Sequence, residues 1–124
     1  MLIRFTILAQ DPDSGRTSGV LVAAHTLRDE GDLTVEEHQN LRLALSWFND
    51  NLSIPAVLKR TEHRRAISWF KPAASEAIRR MWQLKGLLDI HGYHVEVLRT
   101  SDPGTVVHED DWQVIAKPRK GQRF

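Results

Sequence analysis

The stretch that most constrains the fold is residues 65–98, where a β-type run, a helical run and a second β-type run follow one another. Ala66-Ile67-Ser68-Trp69-Phe70 is rich in aromatic and β-branched side chains, which fit a pleated, half-buried surface. Lys71-Pro72 closes that run, and Pro72, with its fixed φ, suits the first turn of a helix near 73–91. Within the helix Ala74, Ala77 or Ile78, Met81, Leu84 and Leu88 recur at spacings of three and four, giving one apolar face. Gly92 is the expected C-terminal cap, and Tyr93 to Leu98 reads as the next strand. Strand, helix, short connection and strand make a βαβ unit, whose strands are expected to run parallel through a right-handed crossover.

The remaining pattern extends this unit into one sandwich. Residues 2–10 alternate as a buried strand, with Ile3, Phe5 and Ile7 on one side. Asp11-Pro12-Asp13-Ser14-Gly15 is dense in turn formers. A helix near 19–30 is expected next, with Leu21, Ala24, His25 and Leu27 inward and Gly31 as its C-cap; a hairpin strand at 16–22 competes with it. Thr34-Val35-Glu36-Glu37 has the form of a capping box, opening a helix near 34–52 whose apolar face carries Leu41, Ala44, Leu45, Phe48 and Leu52. Pro55 stops it, and residues 53–64 are irregular. Pro103-Gly104 occupies the central positions of a type II turn, followed by short strands at Val106-Val107 and Trp112–Ala116. The fold expected is α/β or α+β, a single sandwich domain over 1–116 with a mixed sheet of four to five strands, and a loose basic tail at 117–124.

Composition removes several classes of function. The 124 residues carry 41% hydrophobic and 27% charged side chains, as ordinary globular chains do, so wholesale disorder is excluded. There is no cysteine, which excludes disulfides, thiolate nucleophiles and Cys-ligated metal. The N-terminal apolar run is broken by Arg4 and Thr6, and no stretch is long and apolar enough to span a bilayer, so no membrane partner is expected and a cytoplasmic location is the default.

A net charge of +1 leaves electrostatic function to local segregation. Lys117, Arg119, Lys120 and Arg123 fall in a tail with no acid, leaving the body with 13 basic against 16 acidic residues. Lys59, Arg60, Arg64 and Arg65 form a second basic run, containing only Glu62 as an acid. Cations from both runs on one wall would attract phosphates, making a small accessory protein that binds DNA or RNA without catalysis. Arg79-Arg80 would extend such a patch. Four tryptophans, at 47, 69, 82 and 112, are read as core or its rim rather than as base-stacking platforms.

Two other functions compete with this reading. A protein-interaction or homodimerising module would use an edge strand or spare apolar surface around Leu41–Leu52. A metal-dependent hydrolase would use His108-Glu109-Asp110-Asp111, but neighbouring residues in a turn rarely converge on one ion, and a polar hairpin turn accounts for them; no metal or cofactor is expected. The spacing of Asp11 and Asp13 resembles the Asp-x-Asp loop of haloacid-dehalogenase-like phosphotransferases over five residues; no downstream lysine and acidic motif accompanies it, and turn chemistry accounts for the loop. No Gly-Lys-Ser/Thr phosphate loop and no Gly-x-Ser-x-Gly elbow occurs.

Overall fold

The computed structural model of the chain describes residues 1–10, 17–52, 62 and 65–124. The Asp11–Gly15 turn and the cations Lys59, Arg60 and Arg64 lie outside the described residues. The elements are β1 (Leu2–Gln10), β2 (Thr17–Gly19), α1 (Val20–Glu30), α2 (Val35–Asn51), β3 (Ile67–Phe70), α3 (Ser75–Ile90), β4 (Val95–Thr100), β5 (Thr105–Glu109) and β6 (Gln113–Lys117). Three helices accompany an antiparallel sheet, a mixed α+β fold. The chain forms two compact units: Met1–Arg4, Ser53–Ile78 and Leu98–Phe124 make the first, Phe5–Leu52 and Arg79–Val97 the second.

In the first unit the strands bond in the order β1-β3-β6-β5, every ladder antiparallel. Ile3 faces Phe70, Trp69 faces Val114, and Ile67 faces Ala116. Between two partners, β6 is covered on both faces: Gln113, Val114, Ile115 and Ala116 are all buried, as is Trp69 opposite. β5 is the outermost strand. It carries one extra residue, since Val106 and His108 face the consecutive Ala116 and Ile115, a β-bulge at Val107.

At Pro103-Gly104 the chain bends into β5. Gly104 has φ of 110°, a left-handed conformation that an L side chain resists, and a Cβ there would collide with the Lys117 carbonyl. Asp102 Oδ1 accepts the Gly104 N–H at 3.2 Å, holding the turn from inside.

In the second unit the helix takes most of the contested segment, and the competing strand is confined to three residues. Thr17–Gly19 is a short strand antiparallel to β1, with Thr6 opposite Gly19, and α1 begins at the next residue. The buried stripe of α1 is Val20, Ala23, Ala24 and Leu27. His25, expected inward, is exposed, because it stands about 100° round the helix from Ala24. Gly31 caps α1 through its N–H to the Leu27 carbonyl at 2.8 Å.

The capping box of α2 is complete: Glu37 N–H donates to Thr34 Oγ1 at 3.1 Å, and Thr34 N–H donates to Glu37 Oε1 at 3.0 Å. Leu41, Ala44, Leu45 and Phe48 are buried and Leu52 half-buried, the face that the spacing predicts. Ala74, just before α3, and Ala77, Met81, Leu84 and Leu88 within it are all buried. Trp82 meets Phe5 edge-on at 5.2 Å and keeps 42% of its surface exposed, so it is rim rather than core.

Two boundaries differ from expectation for local reasons. α3 starts at Ser75, because Pro72 and Ala73 form a turn closed by Ala74 N–H on the Lys71 carbonyl at 2.9 Å. β4 starts at Val95, not Tyr93, because His91–His94 complete the helix cap: Gly92 takes φ of 89° and Tyr93 N–H reaches the Leu88 carbonyl. Asp89 Oδ1 then accepts the Val95 N–H, with Lys85 Nζ on its other oxygen at 2.5 Å. The β3–α3–β4 unit forms, but β3 and β4 each pair with β1, so the crossover returns to β1 instead of setting β3 and β4 side by side. Among the described residues no helix is long and apolar enough to cross a membrane.

Leu88→Ala should lower unfolding free energy by about 2–5 kcal/mol in urea titrations, as expected for a fully buried leucine. Gly104→Ala should destabilise the chain more than Gly86→Ala, where a Cβ meets nothing within 4 Å. Equal midpoints for the two glycine variants would refute the close approach at Lys117.

Candidate nucleic-acid interface

The basic residues of the first unit are positioned by the β3–β6 register. Ile67 pairs with Ala116, so Arg65, two residues before Ile67, stands at the end of the ladder where Lys117 leaves β6. Thr105 pairs with Lys117, which brings the start of β5 and its preceding turn to the same end. Arg65, Lys120 and Arg123 are exposed and Lys117 is half-buried; none of them holds an ion pair among the described residues. Lys59, Arg60 and Arg64 lie outside the described residues.

Arg119 is committed differently. Its Nη1 donates to both carboxylate oxygens of Asp102 at 2.6 Å, and Gln122 Nε2 donates to the Asp102 carbonyl at 2.9 Å. The Arg119 guanidinium, with the Gly104 N–H behind it, holds the Asp102 carboxyl below its ordinary range. Residues 117–124, expected as a loose tail, also turn back through Gln122 N–H on the Arg119 carbonyl at 2.9 Å. The Phe124 ring meets the Trp69 ring edge-on at 4.8 Å.

Arg99, exposed near the end of β4, belongs to the same unit and is not marked by the sequence pattern. As a single cation in an alternating strand it lies in no basic run; only its position two residues before the Ser101–Gly104 turn relates it to the patch. Asp102, the acid of the adjoining Ser101–Gly104 turn, is paired with Arg119. Arg80 is held elsewhere, in the second unit, with its guanidinium 4.9 Å above the Trp47 ring.

The tryptophans divide by environment. Trp69 is fully buried and sealed by Phe124, so it offers no face to a base. Trp112 is half-buried beside the β5–β6 turn.

The His108–Asp111 cluster is occupied in shaping that turn. Asp110 Oδ1 accepts the N–H groups of Trp112 at 2.9 Å and Gln113 at 2.8 Å, while His108 Nε2 lies 3.2 Å from Asp110 Oδ2. Burial pushes the Asp110 carboxyl up, but the two backbone donors and His108 together hold it below its ordinary value. Glu109 pairs with Lys71 at 3.0 Å. Among the described residues no three His, Asp or Glu side chains gather where they could hold a metal ion.

Because the Asp102 carboxyl is depressed in the folded chain, its contribution to stability is complete above the ordinary carboxylate range and is lost as pH falls through the lowered value. Asp102→Asn should therefore be less stable than the parent at neutral pH and approach it in acid. A constant gap from pH 7 down to acid unfolding, read by thermal melts, would contradict this.

No protein-family model matches the chain, nor does any curated protein or solved structure.

Proposed function

We propose that the protein is a small cytoplasmic accessory factor that binds nucleic acid through the basic end of its first unit, without catalysing a reaction. The observation that carries this reading is the β3–β6 register, in which Arg65 and Lys117 stand at one end of the same ladder. Arg65, Lys117, Lys120 and Arg123 supply cations with no counter-charge among the described residues, and Arg99 adds a fifth from β4. Lys59, Arg60 and Arg64 precede Arg65 in the chain and complete the set expected from sequence.

The chemistry favours phosphate over base. Lysine and arginine on a sheet end displace condensed counterions whatever the sequence, whereas base reading needs exposed aromatic faces or side chains fitted to base edges. Trp69 supplies no such face. The expected ligand is therefore bound with little sequence preference.

A protein-interaction role is favoured by a different observation, the outermost strand β5 with Val106 48% exposed. Light scattering on the dilute full chain separates the two: a dimer that binds no oligonucleotide supports the second.

Fluorescence anisotropy with a labelled oligonucleotide at rising salt tests the first. Affinity should fall steeply, and Lys117→Glu with Lys120→Glu should weaken binding and flatten the log–log salt slope by roughly 0.7–0.9 for each phosphate that the variant no longer neutralises. Binding indifferent to salt, or unaltered by reversing Arg65, Lys117 and Lys120, overturns the proposal.

A further inference from the structure

The second unit contains a groove that the basic end of the first does not involve. It has a volume of about 550 Å³ and lies between α1 and α2. That volume is within the roughly 300–1,000 Å³ of typical small-molecule sites.

Its lining is sorted by chemistry. His25 and Arg28 stand one turn apart on α1. Gln39, Arg42, Ser46 and Asn49 follow at spacings of three, four and three on α2, a single stripe facing them. Leu45, buried, and Leu43, 59% exposed, contribute the apolar part. Among the described residues no carboxylate lines the groove, and the side chains of Gln39, Arg42, Ser46 and Asn49 hold no hydrogen bond or ion pair. Two guanidiniums, an imidazole, two carboxamides and a hydroxyl thus surround a space with donors and no fixed negative charge.

We propose that this groove binds a small phosphomonoester, with Arg42 as its principal cation and Leu45 beneath the organic part of the ligand. Phosphate is the group best matched to guanidinium forks, and Ser46 and Asn49 lie on the same stripe to donate to its remaining oxygens. Arg28 is the reserve cation. Asp29, outside the groove, takes its Nε at 2.9 Å and its Nη2 at 3.4 Å, leaving Nη1 for a ligand. An incoming phosphate therefore competes with Asp29 for Arg28 but has no rival at Arg42.

The probe is phenyl phosphate, titrated at constant ionic strength into the isotope-labelled full chain and followed by amide chemical shifts. Saturable shifts are expected around residues 25, 28, 39, 42, 46 and 49, with inorganic phosphate binding more weakly because it leaves Leu45 uncovered. Arg42→Ala, a surface change, should weaken binding by roughly tenfold or more. Asp29→Asn, which releases Arg28, should tighten it several-fold. The Lys117→Glu, Lys120→Glu chain should bind phenyl phosphate like the parent, which separates this site from the oligonucleotide surface. The proposal is overturned if the shifts do not saturate, if Arg42→Ala titrates like the parent, or if the response follows residues 117–123.

Discussion

The antiparallel ladder between β3 and β6 is the constraint on which the first unit depends. It joins residues nearly fifty positions apart through four consecutive registered pairs, from Ile67 with Ala116 to Phe70 with Gln113. The side-chain period of a strand is two, so a one-residue slip of β3 against β6 would carry Trp69, the buried residue of β3, to the opposite face of the sheet. Burial of Trp69 thus selects the register, and the register decides which charged residues share an end of the ladder. The electrostatic character of that end is a by-product of packing at the indole.

Charge in the second unit does different work. Glu37 serves two partners: through Oε1 it completes the α2 cap on Thr34, and through Oε2 it meets His91 Nε2 at 2.8 Å beyond the end of α3. Thr34, first, and His91 hold its carboxyl below the ordinary range. Lys85 and Asp89 similarly tie the last turns of α3 to the first amide of β4, with Lys85 Nζ also 3.1 Å from the Val95 carbonyl. These ions fix helix ends to neighbouring segments, whereas Arg42 and the cations near Lys117 are left facing solvent.

What could be read from the sequence was what is decided within a few residues. The Thr34–Glu37 box, the Gly92 and Gly104 conformations and the apolar faces of α2 and α3 all follow from local sterics and helical period, and they stand in the structure as their residues imply. In α1 Ala24 and Leu27 are inward as the spacing implies, while Val20 and Ala23 rather than Leu21 and His25 complete the stripe, because the face that is covered is set by packing and not by the local pattern. The βαβ pattern identified its three elements but not that β1 would be the strand to which both ends bond, since no local signal specifies a strand's neighbour. The same holds for the site. The basic runs are visible as composition; the adjacency of Arg65 and Lys117 is a product of long-range pairing, and Arg99 has no run to mark it.

The bulge at Val107 gives the rim of this sheet its own significance. A row of unsatisfied amides and carbonyls on a terminal strand is a template on which other chains can crystallise into fibrils, provided they meet it straight and in step. The surplus residue in β5 breaks that step and adds local twist. This terminal strand thereby carries, in a single supernumerary valine, an obstacle to growth in stacked copies.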